Sequence, residues 1–303
     1  MKNIFLYSRS FCAVFSFFMF THSLFVQAQS SNVQRMEKNK KRDLSYLKKI
    51  TRLGQQKSGI LSFQDMPNAL PKSIFSRKGK ALSFPAGAKS DASINVFLIH
   101  KNGKIYLIDS GMGGVRGEFV RLMEKLDVKR TKVHAVLLTH VHPDHIGGLI
   151  TLDGKCVFPN AVIYLSEKEY ESITSPESPM YKSFAVVRKA YGNRIRPFKE
   201  GSKVENIFQS IPAYGHTPGH TVFEYGRYLF IGDILHSAEL QFADPEICAS
   251  FDMNISLAAT SRKKILALAA KKGYLIAGAH IPFPGTGKVE QEGNGFYFTA
   301  AKE

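Results

Sequence analysis

An apolar run from Val133 to Leu138 leads straight into Thr139-His140-Val141-His142-Pro143-Asp144-His145-Ile146-Gly147-Gly148. The run reads as a buried strand. Three imidazoles and one carboxylate then crowd into six residues, more metal-type ligands than a structural role would use. In an extended segment residues i and i+2 point the same way, so His140 and His142 can reach one ion. Pro143 turns the chain, and Asp144 and His145 face a slightly different point. That geometry suits two neighbouring metal ions better than one. It requires a fold with a rigid sheet edge at the end of this strand.

Three further segments have the same form, a ligand-type residue at the end of an apolar strand. His216 sits in Gly215-His216-Thr217-Pro218-Gly219-His220, Asp233 ends Phe230-Ile231-Gly232-Asp233, and His280 ends Ile276-Ala277-Gly278-Ala279-His280. Loops at strand ends are where a scaffold presents chemistry, and zinc-like ions take imidazole and carboxylate ligands readily.

Around these motifs strands and helices alternate. Ile94 to His100 and Lys104 to Asp109 form a hairpin over Asn102-Gly103. Glu118 to Leu126 has an amphipathic helical pattern. Ala161 to Leu165 is a strand, and Ser166 caps the helix that follows, with Glu169 at its third position. Ser183 to Tyr191 is helical and Ile207 to Ile211 extended. Thr221 to Tyr225 and Tyr228 to Ile231 form a second hairpin. Ser256 to Lys272 is the longest helix, stopped by Gly273, and Tyr274 to Ala277 is the final strand. Residues 58–90 read as irregular, broken by Pro67, Pro71 and Pro85. Hairpins among alternating elements favour mixed sheets with helices outside over one all-parallel sheet.

The ends of the chain carry different signals. Lys2 and Arg9, the apolar stretch Phe11 to Phe20 and Val26-Gln27-Ala28 have the form of a bacterial export signal over residues 1–28. This places the mature protein outside the cell or in the periplasm. The alternative is an uncleaved N-terminal anchor. No later stretch is apolar enough to be a transmembrane segment. Residues 29–57 read as a basic arm with one short helix from Leu44 to Ile50, and 58–303 as the folded domain. Cleavage after Ala28 removes Lys2 and Arg9 and no acid, taking the formal charge from +16 to +14. No aromatic-interleaved basic motif accompanies that charge, so no nucleic-acid partner is expected. Cys156 and Cys248 follow no thiolate-ligand spacing, and whether they pair is open.

His140, His142, Asp144, His145, His216, Asp233 and His280, in this order and spacing, resemble the metallo-β-lactamase superfamily from about Ile94 to the C-terminus. The resemblance implies an αββα sandwich, an α+β fold with two mixed sheets face to face and the metals at one edge. It implies His140, His142 and His216 on one ion, Asp144, His145 and His280 on the other, and Asp233 bridging. Zinc is the default, with Mn, Fe or Co as alternatives. The segments Phe158 to Val162, Gly215 to Thr221, Gln241-Phe242 with Asp244-Pro245, and Gly273 to Ala277 are most similar to the methyl parathion hydrolase group and the quorum-quenching lactonases related to it. That likeness implies a metal-dependent hydrolase of a lactone, ester or phosphotriester, and a homodimer.

Some positions depart from that pattern. Acyl-homoserine lactonases often carry a tyrosine shortly after the bridging aspartate; here Ile234-Leu235-His236 follow, and the chain has no tryptophan. Asp144, Asp233 and His236 are the candidate catalytic side chains. His236 is either a proton donor to the leaving group or a solvated loop residue. Asp109 is a candidate to orient a ligand histidine, with Thr139, Ser110 and His220 weaker ones. Phe63, Phe75, Phe84, Phe242, Phe251 and Phe283 offer an apolar substrate wall, although most phenylalanines are core. Two other readings remain: a nuclease on the same fold, for which the 145–216 spacing leaves no extra domain, and a non-catalytic envelope binding protein stabilised by metal.

Overall fold

The computed structural model describes residues 45–53 and 59–301. The expected export signal and most of the expected arm lie outside the described residues. Two seven-stranded sheets form the frame. In the first, β1 (Ile50–Leu53), β2 (Ile60–Pro71), β5 (Lys89–Lys101), β6 (Lys104–Ile108), β7 (Val133–Leu137), β8 (Val162–Ser166) and β9 (Ile195–Phe198) lie side by side in that order. In the second the order is β10 (Lys203–Val204), β11 (Phe208–Pro212), β12 (Thr221–Tyr225), β13 (Tyr228–Gly232), β15 (Leu275–Gly278), β16 (Thr286–Glu292) and β17 (Gly295–Ala300). A small third sheet joins β14 (Ile247–Ala249) to β3 (Phe75–Arg77) and β4 (Lys80–Ala81). Both large sheets are mixed: β6 to β9 run parallel, as do β13 and β15, and the other pairs are antiparallel.

Period-two patterning stacks the layers. In β5, Phe97 and Ile99 enter a cluster with Ala135, Leu137, Phe208, Phe223, Phe230 and Ala277 between the sheets. The alternate residues Val96 and Leu98 face the opposite cluster. There they meet α1 (Phe119–Lys125), through Phe119, Leu122 and Met123, and α4 (Tyr181–Tyr191), through Phe184, Val187 and Tyr191. Likewise Val222, Leu229, Ile231 and Ile276 turn outward onto Ile265, Leu266 and Ala269 of α6 (Ile255–Lys272). The result is helix, sheet, sheet, helix. Fully burying each such side chain contributes roughly 1.5–3 kcal/mol. A one-residue slip would turn all of them to the wrong face, so this pattern fixes register. Three short helices complete the elements used below: α2 (Pro143–Ile146), α3 (Glu167–Thr174) and α5 (Ala238–Gln241). No helix among the described residues is long and apolar enough to cross a membrane.

Some expectations are corrected. Residues 45–53 are not a free arm: Tyr46 is buried in the core, and β1 pairs with β2 from Ile50↔Phe63 to Leu53↔Ile60. Residues 60–71 form a long strand despite Pro67. Beyond Phe63 no described strand pairs on the far edge of β2, so the missing N–H of proline falls where no ladder bond is needed. Tyr274 to Ala277 does not hold the last strand: β16 and β17 follow as a hairpin whose exposed residues (Lys288, Glu290 and Tyr297 among them) weaken its apolar signature.

Candidate metal centre

Four strand ends converge on one edge of the sandwich. The end of β7 supplies Thr139 to His145, and the β11–β12 loop supplies His216 and His220. The ends of β13 and β15 supply Asp233 and His280. Close backbone approach holds these loops together. A Cβ on Gly148 would lie 1.9 Å from the Ser110 carbonyl oxygen, and one on Gly219 would lie 2.1 Å from the Glu169 amide nitrogen. Both positions require glycine, because backbone cannot yield as a side chain tip can.

His140 Nε2, His142 Nδ1 and His216 Nε2 form a triangle with sides of 3.0, 2.9 and 3.2 Å. Three imidazole nitrogens sharing a tetrahedral ion at zinc distances would stand about 3.3 Å apart, so the triangle is close to that spacing. Asp144, His145 and His280 form a second group, with His280 Nε2 3.3 Å and His145 Nε2 3.8 Å from Asp144 Oδ2. Asp233 lies between the groups. Its Oδ1 is 3.0 Å from His145 Nε2, and its Oδ2 is 3.2 Å from His216 Nε2 and 3.1 Å from His280 Nε2. His145 Nε2 and Asp233 Oδ1 are buried and lack a hydrogen-bond partner. Orphaned buried polar atoms are costly, and a cation between them would satisfy both. The donor set thus fits metal ions.

The outward nitrogens are tied down, which fixes each ring and leaves its inner nitrogen free to ligate. His145 Nδ1 pairs with Asp109 Oδ2 at 2.8 Å, His216 Nδ1 with Asp252 Oδ1 at 2.9 Å, and His280 Nδ1 with the Ser93 carbonyl at 3.0 Å. His140 Nδ1 lies 3.1 Å from the Thr139 hydroxyl, which donates to Asp109 Oδ2. Asp109 also accepts from the Thr139 amide. It therefore orients one candidate ligand, His145, directly and the strand end that carries another, His140. Ser110 donates from both amide and hydroxyl to the His145 carbonyl. His220, fully buried, accepts the Asp233 amide at 3.0 Å and so holds the strand end of Asp233 rather than only its own loop.

Charge is unevenly shared in this set. Burial works against ionisation of Asp233, but His280, His145, His140 and His216 together hold its carboxyl well below the usual range. Burial also opposes charge on His280, yet Asp233 and Asp144 lift it to about 10. Asp233 similarly raises His145 and His216 against their burial. Burial lowers His142 to about 4 and His220 to about 3.

All seven sequence-predicted ligands meet here. His236 is not a solvated loop residue: it is 1% exposed, its Nε2 is 3.2 Å from Asp233 Oδ2, and neither ring nitrogen has a hydrogen-bond partner. After β13 the chain turns, with the Ile234 amide on the Ile231 carbonyl at 3.2 Å, and residue +3 comes inward. Of the six candidate phenylalanines, Phe63, Phe75 and Phe242 are core, and Phe251 lies against His236 with ring centroids 5.6 Å apart. Cys156 and Cys248 are free thiols.

Three supporting residues, Glu169, Asp252 and Arg262, carry no motif that points to the site. Glu169 accepts from the Val141 amide, the Thr217 hydroxyl and the Gly219 amide, at 3.1, 2.7 and 3.0 Å. It ties the His140–His142 loop to the His216 loop. Asp252 is bonded to His216 and to Arg262, which is wholly buried in α6. A capping-box signal located Glu169, but only as a helix start; for Asp252 and Arg262 no local signal exists.

Known proteins share both sequence and shape with this chain. The probable metallo-hydrolase YybB of Bacillus subtilis (strain 168) is 26% identical over 163 residues, covering 53% of this chain and 70% of that protein. The hydroxyacylglutathione hydrolase of Klebsiella pneumoniae is 29% identical over 140 residues, 46% of each chain. This chain thus spans about half the length of such hydrolases. The solved structure of AbOPH, a hydrolase in the beta lactamase superfamily, superposes with a TM-score of 0.71 at 26% identity, covering 84% of this chain and 98% of AbOPH. AidC, a dizinc quorum-quenching lactonase, shares the fold with the same TM-score and coverages at 23% identity. Residues 91–280 match the metallo-beta-lactamase superfamily, and the chain belongs to it.

Proposed function

We propose that this protein is an exported hydrolase that holds two divalent cations, zinc by default, and cleaves a lactone, ester or phosphotriester. The observation that carries the reading is the meeting of two ligand groups at one buried carboxylate, Asp233. Lys2, Arg9, the Phe11–Phe20 stretch and Val26-Gln27-Ala28 support export. The printed descriptions of AidC as a lactonase and AbOPH as a hydrolase support the reaction class.

His140, His142 and His216 would hold one cation, Asp144, His145 and His280 the other, with Asp233 shared. Such a pair, when bound, activates water and polarises a carbonyl or phosphoryl oxygen. Asp233, fixed by His220, keeps the two groups at a set separation. His236 Nε2 faces Asp233 Oδ2 at 3.2 Å and its Nδ1 has no hydrogen-bond partner, so the ring can pass a proton to a leaving oxygen. The test is side-by-side assay of metal-analysed protein with an acyl lactone and an aryl phosphotriester. Hydrolysis of at least one, lost on chelation and restored by Zn2+, is expected. A metal-loaded preparation inert toward both and toward aryl esters would end the proposal.

Metal loading should also be visible in protons. His145, His216 and His280 are held protonated above the ordinary imidazole range in the metal-free protein. Each must lose its proton before it ligates, so adding Zn2+ near neutral pH should release more than one proton per chain, and affinity should fall as pH drops. His142, at about 4, is already neutral and contributes none. Indicator-dye titration in weak buffer measures this; no net release would contradict it.

A further inference from the structure

Residues 250–257 follow β14 and lie directly behind and beside His216. The Met253 amide donates to the His216 carbonyl at 3.1 Å, and the Asn254 amide to the Gly215 carbonyl at 2.8 Å. From Phe251 to Met253 the side chains alternate. Asp252 points inward, its Oδ1 on His216 Nδ1 and its Oδ2 3.3 Å from Arg262 Nη2. Phe251 and Met253 point out, 46% and 59% exposed. Three of the eight large hydrophobic side chains exposed among the described residues, Phe251, Met253 and Leu257, fall in this one stretch.

Arg262 explains why the segment holds this alternation. Its Nε donates to the Ile234 carbonyl at 2.6 Å, and its Nη1 to the Pro245 and Ile247 carbonyls at 2.9 and 2.6 Å. A guanidinium fork can meet several acceptors at fixed angles where an ammonium cannot. One buried group therefore joins the residue after Asp233, Pro245 in the turn before β14, the first residue of β14, and Asp252. The exposed face is continuous with the reaction centre: the Phe251 ring packs on His236, whose Nε2 is 3.2 Å from Asp233.

We propose that residues 251–253 form a two-faced clamp, in which Asp252, locked by Arg262, positions His216, while Phe251 and Met253 bind the apolar, non-reacting arm of the substrate. This rests on the hydrolase reading above, and it narrows the substrate to one with a long acyl or aryl arm. Apolar side chains so near the reacting atoms are matched by a substrate's own hydrocarbon, since exposed apolar clusters mark binding surfaces.

The test separates the two faces. For wild type, Phe251→Ser/Met253→Ser and Asp252→Asn, kcat/KM is measured for N-butanoyl- and N-decanoyl-homoserine lactone. Zn2+ affinity is measured by chelator competition, binding of the ring-opened decanoyl product by calorimetry, and mass by sedimentation. The double serine variant should lower the decanoyl-over-butanoyl preference about tenfold, the scale of a few lost methylene contacts, with Zn2+ affinity unmoved. Asp252→Asn should weaken Zn2+ binding roughly 10- to 100-fold and affect both lactones alike. An unchanged chain-length preference overturns the apolar face. If that unchanged preference comes with a shift from dimer to monomer, the patch is a self-interface instead. Unchanged Zn2+ affinity in Asp252→Asn, with only a lower melting temperature, overturns the positioning face. Should wild type turn over neither lactone, nor an aryl ester or aryl phosphotriester, yet bind the decanoyl product through Phe251 and Met253, the hydrolase reading fails while the clamp stands; turnover without such binding sinks the clamp alone.

Discussion

Replacing Asp233 by alanine should cut hydrolysis on the order of a thousandfold or more and leave the fold in place, because the carboxylate proposed to serve both cations is lost together with its charge. The carboxylate is 3% exposed and lies within 3.0–3.7 Å of nitrogens from His140, His145, His216, His236 and His280. Without it, the clustered imidazoles lose their central counter-charge, and only Asp144 and Asp109 remain acidic beside His145. Metal content should fall with the rate, and circular dichroism should be retained. Asp233→Asn, which keeps the shape and removes the charge, should behave almost as badly. Wild-type metal content and rate in either variant would refute the assignment.

The metal-free protein gives a second readout of the same residue. His280 is raised to about 10 chiefly by Asp233, against its burial. A group raised on folding stabilises fully below its unfolded value, near 6.5, and that contribution is lost as pH climbs toward the folded value. The metal-free melting temperature should therefore decline between about pH 6.5 and 10 in wild type, and decline less in Asp233→Ala. A slope that survives the substitution would place the proton elsewhere.

What could be read in advance follows from how local each signal is. The His140 to His145 cluster and the three strand-end ligands are contiguous with apolar runs, so strand, turn and ligand announce one another. The hairpin over Asn102-Gly103 was legible for the same reason: both residues have positive φ, 52° and 73°, which this dipeptide tolerates. Pro67 misled because its cost depends on whether a neighbouring strand needs its N–H, which is a tertiary fact. The β16–β17 hairpin was missed because half of it faces water. Asp252 and Arg262 were invisible because their partners are 36 and 28 residues away, at His216 and Ile234. His236 could be placed near the bridge by sequence distance, but only the folded loop shows that it is buried.

Glu169→Ala should destabilise the protein by about 3–5 kcal/mol, because it strands two buried backbone amides and a hydroxyl that now share one carboxylate. For a domain of this size each kcal/mol moves the melting temperature by roughly 2–4 °C, so a fall of about 10 °C is expected. The loss should not stop at stability. Glu169 is the direct tie between the loop of His140 and His142 and that of His216, and those three nitrogens lie within 3.2 Å of one another. Loosening the tie should weaken Zn2+ binding at that group first. Glu169→Gln is the sharper variant. One acceptor oxygen can still serve the Val141 amide, but the new amide would point its own hydrogens at the Thr217 and Gly219 donors. If Glu169 acted only as the third residue of a helix cap, glutamine would be tolerated, since a capping box accepts either residue. A Glu169→Gln protein as poor in Zn2+ affinity as Glu169→Ala therefore identifies the side chain as the fastener of the metal loops. Near-wild-type affinity and melting temperature in Glu169→Gln would return it to a capping role.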